Sequence, residues 1–291
     1  MPNARYAMAV FANHLNDYPS TEIKLIGVTG TNGKTTTSHM LESILSEAGF
    51  KTGLMGNLGT KIGADLIETD INTQEPPALQ TNLRRMKEAS VDYCVMEVTS
   101  QGLDVGRVLG CDFRTAVFTN LTQDHIDFHG SMENYRAAKG LLFSRLGNGF
   151  SSDLNKRKFV ILNNDDPASE FFRKITSAQV ITYGINNKSD VMAKDIKLTA
   201  KGSSFQLHSF AGEVTINLMT VGTFNIYNAL AAVESISLFT KLVFCTYIYR
   251  RQFTRTYLEK IRMLKILNWR ITPTPVALFR VCTVSHPNVI M

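Results

Sequence analysis

The sequence predicts an α/β protein with a P-loop-type, mostly parallel sheet flanked by helices. From Ile23 onward, short apolar runs alternate with helical stretches, which is the pattern of a parallel sheet. The first run leads into "GVTGTNGKTTT" at residues 27–37, a glycine-rich loop typical of phosphate binding. Near residues 191–218 the pattern changes to period-two alternation, which predicts a small antiparallel section.

The elements follow in order along the chain. The buried-strand pattern occurs at 23–29, 92–98, 114–120, 158–163 and 178–184. Helical patterns follow Lys34, Leu79, Glu133 and Pro167, and the first of them ends on Gly49, as helices commonly do. Consecutive antiparallel strands are predicted at 191–200, 202–210 and 212–220. A helix at 225–239 closes the regular part.

Composition narrows the class of protein. A chain of 291 residues with 44% hydrophobic content can bury a sizeable core, which argues against disorder. Its cysteines (Cys94, Cys111, Cys245, Cys282) form no C-x-x-C pair, and no charged segment followed by an apolar run opens the chain. We therefore expect a cytoplasmic protein. The apolar window at 238–249 is too short to span a bilayer.

The net charge of +6 comes from the C-terminal tail. Residues 240–291 hold nine of the 31 Lys and Arg residues but one of the 25 acidic residues, Glu259. The net charge of residues 1–239 is therefore close to zero. A nucleic-acid-binding function would rest on this basic tail, which carries no recognisable binding motif, so we expect no nucleic-acid partner.

The loop at 27–37 has the context that phosphate binding requires, because a strand precedes it and an amphipathic helix follows it. Its backbone amides and the helix N-terminus would hold the phosphates, Lys34 would neutralise them, and the Thr35 hydroxyl would reach Mg²⁺. The alternative is a glycine turn capped by Thr. Val28 stands where the usual longer motif has its first glycine. The predicted nucleotide-binding residues here are Gly30, Thr31, Asn32, Gly33, Lys34, Thr35 and Thr36.

This shorter loop resembles the ATP loop of the Mur ligases, the ATP-dependent amide-forming enzymes of peptidoglycan precursor synthesis, and of the related folylpolyglutamate synthases. The resemblance implies ATP and Mg²⁺ as cofactors. It also implies that "GTFNIYNALAA", at 222–232, places Asn225 and Asn228 near the nucleotide. Taken alone, either asparagine could be a helix cap.

A second segment, "CVMEVTSQGLDVGRV" at 94–108, places Glu97 at the end of a central strand, where parallel sheets bind ligands. A carboxylate there can hold Mg²⁺, or it can be an ordinary surface acid. The segment is similar to the family's M-E-V-S-S-H, with Thr99 and Gln101 in place of a Ser and the His. The resemblance implies that Thr99 and Arg107 contact the acidic substrate.

The segment "FTNLTQDHIDFHGSMENYRAAKGLLF", at 118–143, is the strongest match. Its Asp124, His125, Asp127 and His129 would alone suggest either a metal site or a polar turn with solvent-facing histidines. The resemblance implies that His125 helps to bind a second Mg²⁺ and that Lys139 is carbamylated. Carbamylation would turn the lysine into an anion that can bridge to Mg²⁺. Lys34, His125 and Lys139 are therefore the expected catalytic residues.

The loop "INTQEPPALQ", at 71–80, resembles the N-T-T-P-E-x-x-x-L-Q loop of the family branch that adds the third amino acid. Asn72 and Thr73 fall where that branch binds the UDP-muramoyl dipeptide. The implied reaction is ATP-dependent addition of meso-diaminopimelate or L-lysine to UDP-N-acetylmuramoyl-L-alanyl-D-glutamate by a monomeric enzyme, with no membrane partner.

The resemblance covers residues 2–239, with a linker helix expected at 1–20 and the central ATP-binding domain at 21–239. We expect no counterpart of the family's flanking uridine-binding and C-terminal domains, so the alternative function is a truncated remnant that binds at most ATP and Mg²⁺. The tail at 240–291 prompts a frameshift hypothesis, because the codons of "RITPTP", at 270–275, can spell the family motif D-Y-A-H-T in another frame.

Overall fold

The computed structural model describes residues 3–69, 71–149, 153, 156–210, 212–237 and 269–270. The apolar window at 238–249, the basic tail and the frameshift hypothesis therefore fall outside the described residues, apart from a two-residue strand at 269–270. In the described part of the chain, no helix is long and apolar enough to cross a bilayer.

Parallel strands form the centre of the sheet. The first strand, β1 (Lys24–Thr29), lies between two parallel neighbours and is buried from Leu25 onward. The parallel strands are β2 (Thr52–Gly56), β5 (Tyr93–Glu97), β1, β6 (Phe113–Phe118), β7 (Phe159–Asn163), β8 (Gln179–Gly184) and β9 (Val191–Thr199), in spatial order. The five strands predicted between 23 and 184 are confirmed, with bounds that differ by one or two residues.

Antiparallel strands extend the sheet at both ends. Beyond β9 come β10 (Gly202–Ser209) and β11 (Gly212–Leu218), which confirms the antiparallel section expected near 191–218. A two-residue strand, β12 (Trp269–Arg270), pairs with β11. At the other end, β3 (Gly59–Ile62) and β4 (Asp65–Ile67) follow β2. These two strands and β2 lie in a glycine-rich stretch for which no strand is predicted from the sequence.

Helices connect the strands and cover both faces of the sheet. They are α1 (Ala4–Leu15), α2 (Lys34–Glu47), α3 (Pro76–Glu88), α4 (Ser100–Asp104), α5 (Ile126–His129), α6 (Met132–Ser144), α7 (Ala168–Ile175) and α8 (Thr223–Ser237). A 3₁₀ turn at Pro19–Thr21 follows α1. The helix expected after Leu79 begins at Pro76, because proline at a first helical position costs no hydrogen bond. The helix expected from Asn225 begins at Thr223.

Two hydrophobic cores lie on opposite faces of the sheet. Ile26 and Val28 of β1 belong to the core that includes α2 and α8. Leu25 belongs to the other core, which includes α3, α6 and α7. Side chains of consecutive strand residues point to opposite faces, so a strand covered on both sides reads as a continuous apolar run. This double burial fixes the register of β1 and thus the position of the loop that follows it.

Parallel strands bring their carboxyl ends to one edge of the sheet. At this edge β1 ends at Thr29, β5 at Glu97, β6 at Phe118 and β7 at Asn163. Ligands of open parallel sheets bind at this edge. The sequence-predicted nucleotide and metal residues therefore share one region of the fold.

Candidate active site

Two glycines shape the phosphate loop, because a side chain at either position would collide with neighbouring side chains. Gly33 has a φ of +83° and caps the N-terminus of α2. A Cβ on Gly33 would collide with the amide oxygen of Asn228, and one on Gly30 would collide with the Thr119 hydroxyl. The loop is thus packed closely against α8 on one side and the end of β6 on the other.

Two lysines converge on one backbone oxygen of this loop. Lys34 Nζ donates to the carbonyl oxygens of Gly30, at 2.9 Å, and Thr31, at 2.8 Å. Lys139 Nζ also donates to the Gly30 oxygen, at 2.9 Å, and lies 4.4 Å from the centroid of the Tyr135 ring. Lys139 is 1% exposed. A second positive charge at such a buried position is unfavourable.

Burial lowers the pKa of both amines. It lowers the pKa of Lys139 to about 6, with a further lowering from the charge of Lys34 and an opposing effect from Asp124. Burial also lowers the pKa of Lys34, against the opposing charges of Glu97 and Asp124. At neutral pH the Lys139 amine is therefore mostly uncharged, which is the form that can react as a nucleophile.

Thr35 and Glu97 form an oxygen-rich pair beside the loop. The Thr35 hydroxyl donates to Glu97 Oε2 at 3.0 Å, and the backbone N–H of Asn57 donates to Oε1 at 3.1 Å. Glu97 is 1% exposed. Any Cβ on Gly56 would collide with its carboxylate. A hydroxyl and a buried carboxylate are the hard oxygen ligands that Mg²⁺ prefers, so the residues present fit this ion.

The tip of the loop is tied to residues that follow β6. The Asn32 carbonyl accepts from the Thr119 hydroxyl at 2.7 Å and from Asn120 Nδ2 at 3.0 Å, and the Asn32 N–H donates to Asn120 Oδ1 at 2.9 Å. Thr31 shares a hydrogen bond with the Tyr135 hydroxyl at 3.1 Å. Thr119, Asn120 and Tyr135 are not among the site residues predicted from the sequence. Polar residues directly after a predicted strand were the available signal for the first two.

The predicted asparagines of α8 have different surroundings. Asn228 lies against Gly33 and accepts from the Thr37 hydroxyl at 3.4 Å. Asn225 donates to the Val221 carbonyl at 2.9 Å and accepts from Asn228 at 3.4 Å. Thr36 is half-buried in the first turn of α2. Asn228 therefore contacts the phosphate loop directly, whereas Asn225 is hydrogen-bonded to Asn228.

Three of the four predicted substrate residues meet beside the end of β5. The Thr73 hydroxyl donates to the Glu97 carbonyl at 3.0 Å and accepts from the Thr99 N–H at 3.0 Å. Arg107 donates to Glu75 Oε1 at 2.7 Å and to the Thr73 carbonyl at 3.2 Å. Asn72 is half-buried next to them. Thr73 is 1% exposed, so its hydroxyl already has a structural role.

His125 and His129 have different surroundings. His125, whose φ of +51° is left-handed, places Nδ1 3.2 Å from Gln101 Nε2 and Nε2 3.5 Å from Asp124 Oδ2. His129 is buried, and its Nε2 lies 3.0 Å from the Ser100 hydroxyl. Burial lowers the pKa of His129. No group of three or more His, Cys, Asp or Glu side chains that could hold a metal occurs among the described residues. His125 is partly exposed and His129 is buried, so the interpretation as a turn with solvent-facing histidines fits only the first, and the metal site stays a prediction.

Comparison with known proteins decides the family. The Mur ligase middle domain matches residues 28–236, which is most of the chain.

The chain belongs to the Mur ligase family.

Curated Mur ligases share extensive identity with the chain. It is 50% identical over 232 residues to the UDP-N-acetylmuramoyl-L-alanyl-D-glutamate--2,6-diaminopimelate ligase of Geobacillus thermodenitrificans, covering 80% of this chain and 47% of that protein. It is 47% identical over 230 residues to the ligase of the same name from Bacillus licheniformis, covering 79% of this chain and 47% of that protein. The chain therefore spans about half the length of the curated Mur ligases it matches.

Solved Mur ligase structures share the fold. A structure of a ligase with the same name matches with a TM-score of 0.71 and 28% identity, covering 81% of this chain and 48% of that one. A folylpolyglutamate synthase complex with AMPPCP matches with a TM-score of 0.65 at 17% identity, covering 85% of this chain and 65% of that one, and this likeness concerns the fold alone.

Proposed function

We propose that the chain is the central part of an ATP-dependent amide ligase of peptidoglycan precursor synthesis. The reaction joins meso-diaminopimelate to the side-chain carboxyl group of D-glutamate in UDP-N-acetylmuramoyl-L-alanyl-D-glutamate. The identity of 50% to a diaminopimelate ligase supports this substrate rather than L-lysine. The observation that carries the proposal is the phosphate loop with Lys34 and the Thr35–Glu97 pair beside it.

The geometry supports phosphoryl transfer to a carboxylate. The γ-phosphoryl group of ATP passes to the D-glutamate carboxylate, ADP leaves, and the amine of the diamino acid then displaces phosphate from the acyl phosphate. Such reactions depend on positioning and charge stabilisation. The loop amides and Lys34 bind the phosphates, with Asn228 holding the shape of the loop. Mg²⁺, when bound, supplies positive charge to the transferring phosphoryl group.

Thr35 and Glu97 are the residues that would hold Mg²⁺. Lys139 would join them after carbamylation, because its neutral amine can attack CO₂ and, on releasing a proton to solvent, become a carbamate anion. Its contact with Gly30 keeps it beside the loop. The resemblance also predicts His125 at a second Mg²⁺. We therefore keep His125, beside Thr35, Glu97 and Lys139, in the metal proposal; its ring nitrogens lie 3.2 Å from Gln101 Nε2 and 3.5 Å from Asp124 Oδ2.

Arg107 is the proposed contact for the acidic substrate. Its guanidinium pairs with Glu75, and both side chains are partly exposed. A substrate carboxylate could replace Glu75 in this pair. Thr73 and Thr99 would hold the loop at 71–75 against the end of β5, and Asn72 would face the substrate from the same loop.

The truncated-remnant alternative is less favoured, because the curated relatives are named as ligases. The proposal divides the chain into a linker helix at 1–20 and an ATP-binding domain at 21–239. It also places the protein in the cytoplasm as a monomer that binds small-molecule substrates.

The test is phosphate release from ATP by the purified full chain. We expect release to require both UDP-N-acetylmuramoyl-L-alanyl-D-glutamate and meso-diaminopimelate, and to yield the tripeptide product. Lys34→Met should abolish the release, whereas Lys174→Met, at an exposed lysine, should not. Nucleotide binding without substrate-dependent release would instead support the remnant.

A further inference from the structure

Gln74 lies in the loop that carries the predicted substrate residues, at the position where the motif N-T-T-P-E has proline. A proline ring would fix the backbone φ at this position, whereas glutamine leaves it free. The Gln74 side chain is nevertheless buried. Burying an amide without hydrogen-bond partners is costly, so this side chain needs partners at both of its polar atoms.

Both polar atoms of the Gln74 amide have buried partners. Nε2 donates to the Thr60 hydroxyl at 2.8 Å, and Oε1 accepts from Asn82 Nδ2 at 2.9 Å. Thr60 and Asn82 are themselves buried. Thr60, Gln74 and Asn82 therefore form a buried chain of hydrogen bonds, hereafter the Gln74 bridge.

The two ends of the Gln74 bridge lie on regular elements of the fold. Thr60 is in β3, where it pairs with Met55 of β2 and with Ile67 of β4. Asn82 is in α3, which begins two residues after Gln74 and packs into one of the two hydrophobic cores. The bridge therefore ties the loop to a strand on one side and to a helix on the other.

The residues on either side of Gln74 hold the proposed substrate arginine. Arg107 donates to Glu75 Oε1 at 2.7 Å and to the Thr73 carbonyl at 3.2 Å. The Thr73 hydroxyl in turn donates to the Glu97 carbonyl at the end of β5. Because Gln74 lies between Thr73 and Glu75, a shift of its backbone would move both partners of Arg107.

We propose that Gln74 is a positioning residue: its bridge to Thr60 and Asn82 holds the loop around Arg107 and thereby sets the affinity of the site for the acidic substrate. The identity of that substrate, an anionic muramoyl peptide, rests on the proposed function, whereas the effect on the loop does not. Among the described residues, no side-chain hydrogen bond of the bridge reaches the phosphate loop at 27–37. Nucleotide affinity should therefore not depend on the bridge.

The first test measures amide hydrogen exchange in the full chain. Gln74→Leu is similar in size but forms neither hydrogen bond, and Thr60→Val removes the acceptor of Gln74 Nε2. Both variants should speed exchange over residues 71–75 and at the Thr99 N–H, which donates into this loop. Thr60→Ser keeps the hydroxyl and should restore slow exchange.

Gln206 provides the matched control for this test. Its Nε2 donates to the Thr215 hydroxyl at 2.8 Å on the β10–β11 hairpin, as Gln74 donates to Thr60. Gln206→Leu should leave exchange over residues 71–75 unchanged. Unchanged exchange over these residues in Gln74→Leu would overturn the proposal.

The second test measures the affinity of the full chain for UDP-N-acetylmuramoyl-L-alanyl-D-glutamate and for a non-hydrolysable ATP analogue by calorimetry. Gln74→Leu and Thr60→Val should weaken binding of the muramoyl dipeptide by about tenfold or more, since small misplacements of positioning groups have effects of this size. Thr60→Ser should bind it as the parent does. The affinity for the ATP analogue should be the same in all variants, which also shows that they are folded.

The two ligands separate a positioning role from a general structural one. A parallel loss of affinity for both ligands is the result expected if Gln74 only stabilises the fold, and it would overturn the proposal. Unchanged affinity for the dipeptide in Gln74→Leu would do the same. If exchange changes as expected but the parent chain does not bind the dipeptide, the proposed function fails and the role of Gln74 in holding the loop stands.

Discussion

Lys139 combines deep burial with a polar side chain. Its amine reaches only the Gly30 carbonyl and the Tyr135 ring among the contacts of the described residues, and Lys34 lies on the same carbonyl. Removing an ammonium group from water is costly, so the folded protein favours the neutral amine. The neutral amine is also the form that can react with CO₂. The burial of Lys139 and its proposed carbamylation are therefore connected.

The first prediction concerns pH dependence. An unfolded lysine titrates near 10.4, whereas burial lowers the pKa of Lys139 to about 6 in the folded chain. Between these two values the unfolded state binds more protons, so the free energy of unfolding should rise with pH. Lys139→Met should reduce this rise between pH 7 and pH 9 in urea unfolding. Lys174→Met should leave this rise intact. If the free energy of unfolding depends on pH in the same way in both variants, Lys139 is not a buried neutral amine.

The second prediction concerns Gly33. Gly33→Ala introduces a left-handed alanine, which costs about 1–2 kcal/mol, and also a clash with Asn228. Gly49 provides the matched control, since it has a φ of +90° and open space around it. We expect Gly33→Ala to weaken binding of an ATP analogue strongly and Gly49→Ala to leave it unchanged. The double variant with Asn228→Ala should recover part of the loss if the clash is the cause.

Residue patterns in the sequence are enough to select part of the proposed site, because some of its features are local. Spacing on the loop was enough to select Gly33, Lys34 and Thr35, and a strand-end position was enough to select Glu97. Contacts made by Tyr135 and by the backbone of Asn57 depend on how distant segments pack, and no local pattern carries that information. The Gln101–His125 contact likewise joins two separate segments, α4 and the N-terminus of α5.

At the scale of elements, continuous apolar runs and helix caps predicted most of the fold. The stretch at 52–67 escaped prediction because Gly53, Gly56 and Gly59 weaken a strand pattern. The structure explains these glycines by close contacts. A Cβ would collide with Met86 at Gly53, the Glu97 carboxylate at Gly56 and the Ile67 backbone at Gly59. The stretch without a predicted element is therefore a set of tightly packed strands.

Helix α6 supports a third prediction, because it carries both Tyr135 and Lys139. Its N-cap is Ser131, whose hydroxyl accepts from the Asn134 N–H at 3.1 Å. Ser131→Ala should lower the free energy of unfolding by about 1 kcal/mol, since one helix N–H loses its partner. Ser131→Asp keeps an acceptor and should retain most of the stability. Equal losses in the two variants would show that the cap is not responsible.

At the scale of the whole molecule, the two hydrophobic cores pack against opposite faces of the sheet and hold the strand ends in register. Leu230 of α8 is fully buried in the core shared with α2. Leu230→Ala should cost about 2–5 kcal/mol in urea unfolding, because it removes buried contacts and leaves a cavity. Leu198→Ala, at a residue that is 52% exposed, should cost far less. A small effect at Leu230 would mean that α8 does not anchor this core.

The central claim is that the loop, Thr35 and Glu97 form a single site for ATP and Mg²⁺. Calorimetric titration of the full chain with a non-hydrolysable ATP analogue, with and without Mg²⁺, tests it most directly. Mg²⁺ should tighten binding in the parent and in the exposed control Glu170→Gln, and this gain should be largely lost in Glu97→Gln. An equal gain in all three proteins, or no nucleotide binding at all, would contradict the account.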